Sequence, residues 1–303
     1  MLFFFLLTLN AGLYVDADAP CDLVRVRDVL QIGSQYFILD GGDHQVKVTN
    51  DRGELLHHFG QKGEGPGEFQ FPSSIGVVNG EIWVHDLISS QVQRFTPKGE
   101  YLGAHKIAAL GPLQFETKHP IIHTPTQARS FIVLNGEFEE VGKVGKGMDA
   151  TGGIQVDQIV HFLQVFTVDP KDQVLYSIGV NGKSITSYDL KTMRQQSMRE
   201  LPLGDYAAPQ KVEADGGRVR VTGGRPVKGT VFHAGHLFTL VHDEREEDHS
   251  RLVVLDTSGN FLQNTKLDTH FTHLFGNPDQ GSAFFVNGEE SLIEERPLVL
   301  QAK

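Results

Sequence analysis

Cysteine is nearly absent from this chain. Cys21 is the one thiol among 303 residues, so no disulfide can form within it, and small folds stapled by several bridges are excluded. Tracts with apolar residues recurring at i, i+3 and i+4 are few, which argues against a helical architecture. Lys and Arg are missing before Arg25. The apolar run in that stretch, Leu2-Phe3-Phe4-Phe5-Leu6-Leu7-Thr8-Leu9, is too short to cross a bilayer as a helix. Basic residues are outnumbered overall, giving a net charge of −11 at pH 7. A field of that sign repels phosphate backbones, so nucleic acid is not an expected partner.

What the chain does have is glycine, 33 residues of it, with 13 prolines and many short apolar strands. Near the N-terminus, Ala17-Asp18-Ala19 follows the apolar run as an A-x-A cleavage signal. Residues 1–19 are therefore expected to be a secretory signal peptide without its usual basic flank. Residues 22–303 are expected to form one domain in an extracytoplasmic compartment. A hydrophobic share of 39% is enough for one large core, and closed all-β folds often reach such lengths as a single domain.

Strand-like segments recur along the whole chain. They are Tyr36-Phe37-Ile38-Leu39-Asp40, Ile82-Trp83-Val84-His85-Asp86, Phe131-Ile132-Val133-Leu134-Asn135, Val174-Leu175-Tyr176-Ser177-Ile178, Leu237-Phe238-Thr239-Leu240-Val241-His242-Asp243 and Ala283-Phe284-Phe285-Val286-Asn287. Asp40 and Asp86 stand 46 residues apart, as do Val46 and Val92, and Gly53 and Gly99. Each of these glycines closes a turn between alternating segments, and Gly259 closes a third, which is a hairpin signature. A period in the forties with about four strands per unit fits a propeller blade.

Between the first two units lies Phe59-Gly60-Gln61-Lys62-Gly63-Glu64-Gly65-Pro66-Gly67-Glu68-Phe69-Gln70-Phe71-Pro72. This segment resembles the linker of NHL repeats, F-G-x-x-G-x-G-P-G-E-F-x-x-P. The resemblance covers roughly residues 36 to 105 and is degenerate beyond them. It implies an all-β, six-bladed β-propeller with four-stranded blades. Physically, glycines let the chain cross from the outer edge of one blade to the axis of the next, and Phe69 is expected to wedge between the two. A phosphate loop is the lesser reading, because a strand follows the glycines rather than a helix.

A ring must be closed, or it exposes strand edges. The last unit looks one strand short. Asp22-Leu23-Val24-Arg25-Val26-Arg27 alternates as a strand does, and is expected to supply the outer strand of the sixth blade. Inner strands are expected near Val29 to Ile32, Ile75 to Val78, Ile121 to Pro125, Phe162 to Val168, Thr230 to His233 and His273 to Phe275.

Channel-mouth candidates crowd near the starts of those strands: His119, His123, His161, His233, His270 and His273, with Asp28. Imidazoles converging from several blades would suit a divalent metal ion, and the NHL resemblance includes peptidyl-amidating lyases that hold such a metal with histidines. No spacing among them has the form of a known zinc motif, so no metal, cofactor or catalytic residue is assigned. His85-Asp86 and His242-Asp243 look like a repeated pair, with Asp86 expected to cap its turn. The expected function is non-catalytic binding of a protein, peptide or glycan. The alternatives are a metal-dependent lyase or hydrolase at the channel mouth, and a structural scaffold.

Overall fold

The computed structural model describes residues 12–16, 18–107, 113–115, 120–123, 131–146, 164–206, 211–215, 218–222, 226–244, 249–277 and 280–300. The chain is a six-bladed propeller of four-stranded antiparallel sheets. Blade one runs outward through Val26–Ile32, Gln35–Asp40, Gln45–Thr49 and Leu55–Phe59. Blade two is Pro72–Val78, Glu81–Asp86, Gln91–Phe95 and Tyr101–Lys106. Blade three is Leu113–Gln114, Ile121–His123, Phe131–Leu134 and Glu140–Val144. Blade four is Gln164–Asp169, Val174–Gly179, Ser184–Asp189 and Arg194–Glu200. Blade five is Val227–His233, His236–His242, Ser250–Asp256 and Phe261–Lys266. Blade six is His273–Asn277, Ser282–Asn287 and Leu292–Pro297, with Tyr14–Val15 as its outermost strand. A separate hairpin, Lys211–Asp215 with Arg218–Thr222, is inserted between blades four and five. The one helical segment among the described residues is a short 3-10 turn, Pro202–Tyr206.

Burial explains why these strands form. Second strands such as Gln35–Asp40 are buried on both faces, because each blade is sandwiched between two others. They therefore read as continuous apolar runs and not as alternating ones. Outer strands such as Tyr101–Lys106 stay largely exposed. The core lies in layers between blades: Phe37, Leu39, Val46 and Val48 of blade one meet Ile75, Ile82, Val84 and Phe95 of blade two. Phe69 wedges into this layer, fully buried, with its ring 5.8 Å from that of Phe95. Burying such a ring contributes about 2–3 kcal/mol.

The glycine-rich linker folds on itself. The Phe69 N–H donates to the Gln61 carbonyl at 2.7 Å, and the Gly63 N–H to the Phe69 carbonyl at 3.1 Å. Glu68 accepts from the Gly65 N–H and the Gln61 side chain. Gln93, buried in blade two, accepts from the Gly67 N–H at 2.8 Å and donates to the Glu68 carbonyl. Gly60 and Gly67 lie at φ +86° and +79°, whereas Gly63 and Gly65 do not take positive φ. These hydrogen bonds tie the loop to itself and to blade two, as a structural crossing requires.

Two expectations about strands are corrected. The closing strand is Tyr14–Val15, which pairs with Leu292–Pro297, not Asp22 to Arg27. Val26 opens the inner strand of blade one instead, and the Val24 and Arg25 N–H groups are held by the Asp40 carboxylate at 2.8 and 2.9 Å. Leu13 and Val15 are buried between blades six and one while Tyr14 is exposed, which is the alternation of a half-buried strand. The second correction is in blade three. Ile121–His123 is its second strand and Leu113–Gln114 its inner one. Phe131–Leu134 is therefore the third strand, and Asn135 caps the turn after it, accepting from the Glu137 and Glu139 N–H groups, as Asn50 does in blade one.

Candidate binding site at the channel mouth

The inner strands enclose a channel with a cavity of about 1550 Å³. One mouth lies where these strands begin. There the linker entering each blade meets the loop after its second strand: the Gly41 N–H donates to the Arg25 carbonyl, and the Leu87 N–H to the Phe71 carbonyl. The last residue of the second strand fixes this corner. Asp86 accepts from the Gln70 and Phe71 N–H groups of the linker, and also from the Ile88 and Ser89 N–H groups of the loop. Asp40 does the same in blade one for Val24, Arg25, Gly42 and Asp43, with Lys47 Nζ at 3.1 Å. Burial alone would push the Asp40 carboxyl up, but the amide N–H groups and Lys47 outweigh it and hold the group below its ordinary range. The expected turn cap is therefore also a clamp on the linker.

Each of three inner strands opens with a β-bulge at the same register. Pairing skips one residue between Val26 and Asp28, between Pro72 and Ser74, and between Val227 and Gly229. The skipped residues are Arg27, Ser73 and Lys228. Bulges re-aim a side chain out of the ladder, and two of those skipped here, Arg27 and Ser73, line the channel. Just past two of these bulges, the next side chain ties the ring together. Asp28 Oδ2 accepts from the Ile75 N–H of blade two at 2.9 Å, and Ser74 Oγ from the Leu113 N–H of blade three at 3.3 Å. Thr167 does likewise for Phe232 of blade five.

Arg27 reaches across the mouth with its guanidinium 4.8 Å from the centre of the Phe71 ring. Gly41 leaves room for it, since a Cβ there would fall 2.6 Å from the Arg27 side chain. Burial, with Arg25 beside it, pulls the guanidinium pKa down. Lys228 Nζ lies 3.9 Å from a Glu244 carboxylate oxygen. In the linker and loop joined at these corners, Val24 and Ile88 are 52% and 64% exposed.

The sequence candidates do not gather. Asp28 and His273 line the channel, but the Asp28 oxygens already serve the Val29 and Ile75 N–H groups. His273 stacks on Phe275, with Nδ1 2.8 Å from Thr272 Oγ. Burial, then the charges of Arg27 and Lys228, pushes its pKa down to about 4. His233 closes its strand at the opposite end of the channel, against Gly281. His270 lies against His242, with ring centres 4.4 Å apart. His123 is buried between blades three and four against Phe131 and Phe166. His119 and His161 lie outside the described residues. Among the described residues, no three His, Cys, Asp or Glu form a group that could hold a metal ion.

His85 and His242 are not equivalent, because Asp86 pairs with Pro72 whereas Val241 takes that place in blade five. Ser73 Oγ lies 3.1 Å from His85 Nδ1. Burial drives the His85 pKa down to about 4, and its buried Nε2 has no hydrogen-bond partner among the described residues, so no carboxylate orients the ring. The residues that sequence reasoning missed are Arg27, Phe71 and Lys228. A signal existed for the first: Arg27 and Ser73 repeat the same spacing of 46 that relates Asp40 to Asp86.

Residues 16–117 match the model of a family described as 6-bladed beta-propeller. No curated protein sequence matches the chain. Solved structures similar to it include a Bacteroides fragilis protein described as exported, at 14% identity, covering 93% of this chain and 92% of that one with a TM-score of 0.58. Virginiamycin B lyase of Staphylococcus aureus, solved as an inactive variant with quinupristin, is 12% identical over 89% of this chain and 80% of its own, with a TM-score of 0.55. BamB of Moraxella catarrhalis is 12% identical, covers 93% and 85%, and has a TM-score of 0.51. At such identities the likeness is one of fold.

Proposed function

We propose that this protein is an NHL-type propeller that acts outside the cytoplasm as a non-catalytic binding module, with the partner seated at the mouth where the inner strands begin. The observation that carries this reading is the mouth itself. Two matching bulges set Arg27 and Ser73 on the channel lining beside Phe71, and Val24 and Ile88, in the linker and loop joined at the same corners, are exposed. Exposed apolar side chains around charged and aromatic ones mark a contact surface. Ser73 Oγ donates to the His85 carbonyl, which favours a positioning role for it over a nucleophilic one. The extracytoplasmic placement is supported by the apolar run Leu2 to Leu9 and by the likeness to an exported protein. No helix among the described residues is long and apolar enough to cross a membrane. The test presents the purified protein to peptide and glycan arrays and follows any retained ligand for turnover. One ligand class retained unchanged is the expected result. Conversion of the ligand, or one divalent metal per chain after dialysis, would favour the lyase or hydrolase alternative, and no retained ligand would favour the scaffold.

A further inference from the structure

Arg27 is a half-buried cation without an acidic partner. It forms no ion pair among the described residues, and its Nε is buried without a hydrogen-bond partner. The chain has a net charge of −11, so carboxylates are not in short supply. A partly desolvated charge is costly until something pairs with it. Phe71 offsets part of that cost, with its ring centre 4.8 Å from the guanidinium carbon, but a ring face leaves the in-plane N–H donors unused. Gly41 closes one edge of the group, since a Cβ there would fall 2.8 Å from Nε. The two terminal nitrogens remain, and Arg27 lines the channel.

A second open group stands beside it. His273 of blade six lines the same cavity. A Cβ at Gly288 would sit 2.9 Å from the Val26 carbonyl and 3.9 Å from His273 Cε1, so the imidazole adjoins the residue that precedes Arg27. Its Nδ1 is taken by Thr272, and its Nε2 has no hydrogen-bond partner among the described residues. The neighbouring groups at these strand starts are apolar or already engaged. Phe71, Leu87, Leu113 and Leu274 line the cavity. The Asp28 oxygens serve two backbone N–H groups, and Ser73 Oγ donates to the His85 carbonyl.

One cation and one neutral imidazole among apolar side chains match a single negative charge on an apolar body. A phosphate monoester carries about −1.5 to −2 at pH 7, which would leave charge unpaired against apolar walls. A carboxylate carries one charge, and its two oxygens fit the parallel donors of a guanidinium.

We propose that Arg27 and His273 anchor the carboxylate of an apolar organic acid at the channel mouth, with the body of the acid on Phe71 and Leu87. Such a group ends a small acid or a peptide whose last residue is apolar, and the test separates the two. This rests on the mouth-binding reading and narrows it to one ligand chemistry.

The test is a ligand-observed NMR titration of the full chain. The probes are phenylpropionate and its neutral amide, and a tripeptide ending in phenylalanine with its terminus free or amidated. Inorganic phosphate is the competing anion. The free acids are expected to bind once per chain, and each amide at least about tenfold more weakly. Arg27→Gln should bring the acid down to the level of its amide. Arg27→Lys keeps the charge without the fork and should fall between them. His273→Phe keeps a ring against Phe275 and should weaken the acid about threefold. Whichever free acid binds more tightly names the source, and either order upholds the anchor. Should Arg27→Gln fail to fold, the comparison of acid with amide on the unaltered protein carries the same test. Equal binding of acid and amide, an undiminished Arg27→Gln, or phosphate bound more tightly than both acids overturns the proposal. No binding of either acid at millimolar concentration overturns it too. In that case an array-selected ligand that still protects the inner-strand starts leaves the mouth-binding reading standing, and one that does not removes that reading as well.

Discussion

Asp86 holds four backbone N–H groups with one buried carboxylate, two from the linker and two from the loop beyond its strand. Truncation leaves those four donors unpaired, and each one that stays buried costs about 1–3 kcal/mol. Asp86→Ala should therefore lower stability by about 3 kcal/mol or more in urea unfolding, and a change under about 1 kcal/mol would show that the corner is held by other contacts. Two imidazoles make a second residue-scale prediction. His85 and His273 are both held neutral by burial, each with a pKa of about 4 against an ordinary value of 6.5. Between those values the unfolded chain binds more protons than the folded one. Their contribution is thus complete above about pH 7 and is lost as pH falls from 6.5 toward 4. The melting temperature should drop between pH 7 and pH 5, and His85→Leu should flatten that drop. A pH-independent melting temperature over this range would contradict the assignment.

At the scale of elements, the linker and the bulges divide the labour: one carries the chain inward, the other presents side chains. In the linker the glycines are not equivalent. Gly67 has φ +79°, which a β-branched residue adopts only with strain, while Gly65 has an ordinary φ and only the flexible end of Glu68 near its missing Cβ. Gly67→Val should cost about 1–3 kcal/mol and Gly65→Val clearly less, as read by chemical denaturation; the reverse order would contradict the backbone described. Much of this was legible in the sequence, because blades one and two repeat Asp, Val and Gly at a constant spacing. Blade three was misread by one strand. Its second strand is only Ile121–His123, with no Asp at its end, so the longer run at Phe131 drew the assignment although Asn135 closes it with a third-strand turn. Bulges were invisible to pattern reading, since one extra residue does not disturb an apolar strand. The candidate histidines failed for a related reason: proximity to a strand end does not fix which face or which end of the channel a side chain meets.

At the scale of the whole molecule, the ring is joined by a two-residue strand and one carboxylate. Glu295 accepts from the Leu13 N–H, the Tyr36 hydroxyl, the Asn277 amide and the Ser282 hydroxyl, linking the N-terminal strand, blade one and blade six. Burial, with Glu295 close by, lifts the Tyr36 phenol to about 12. The strand falls within residues 1–19, the stretch expected to be a signal peptide. A cut after Ala19 would remove Leu13 and Val15 from the layer between blades six and one. Deleting residues 1–15 should then lower stability by several kcal/mol, as two core side chains and an edge pairing are lost; an unchanged melting temperature would show that the ring closes without them. The central claim is that this ring serves to hold a ligand at one mouth, and hydrogen–deuterium exchange of the protein with and without its array-selected ligand tests it most directly. The account predicts new protection at residues 25–28, 71–74, 113–115, 226–229 and 272–275. Protection confined instead to the outer strands Leu55–Phe59, Tyr101–Lys106, Arg194–Glu200 and Phe261–Lys266 would contradict it.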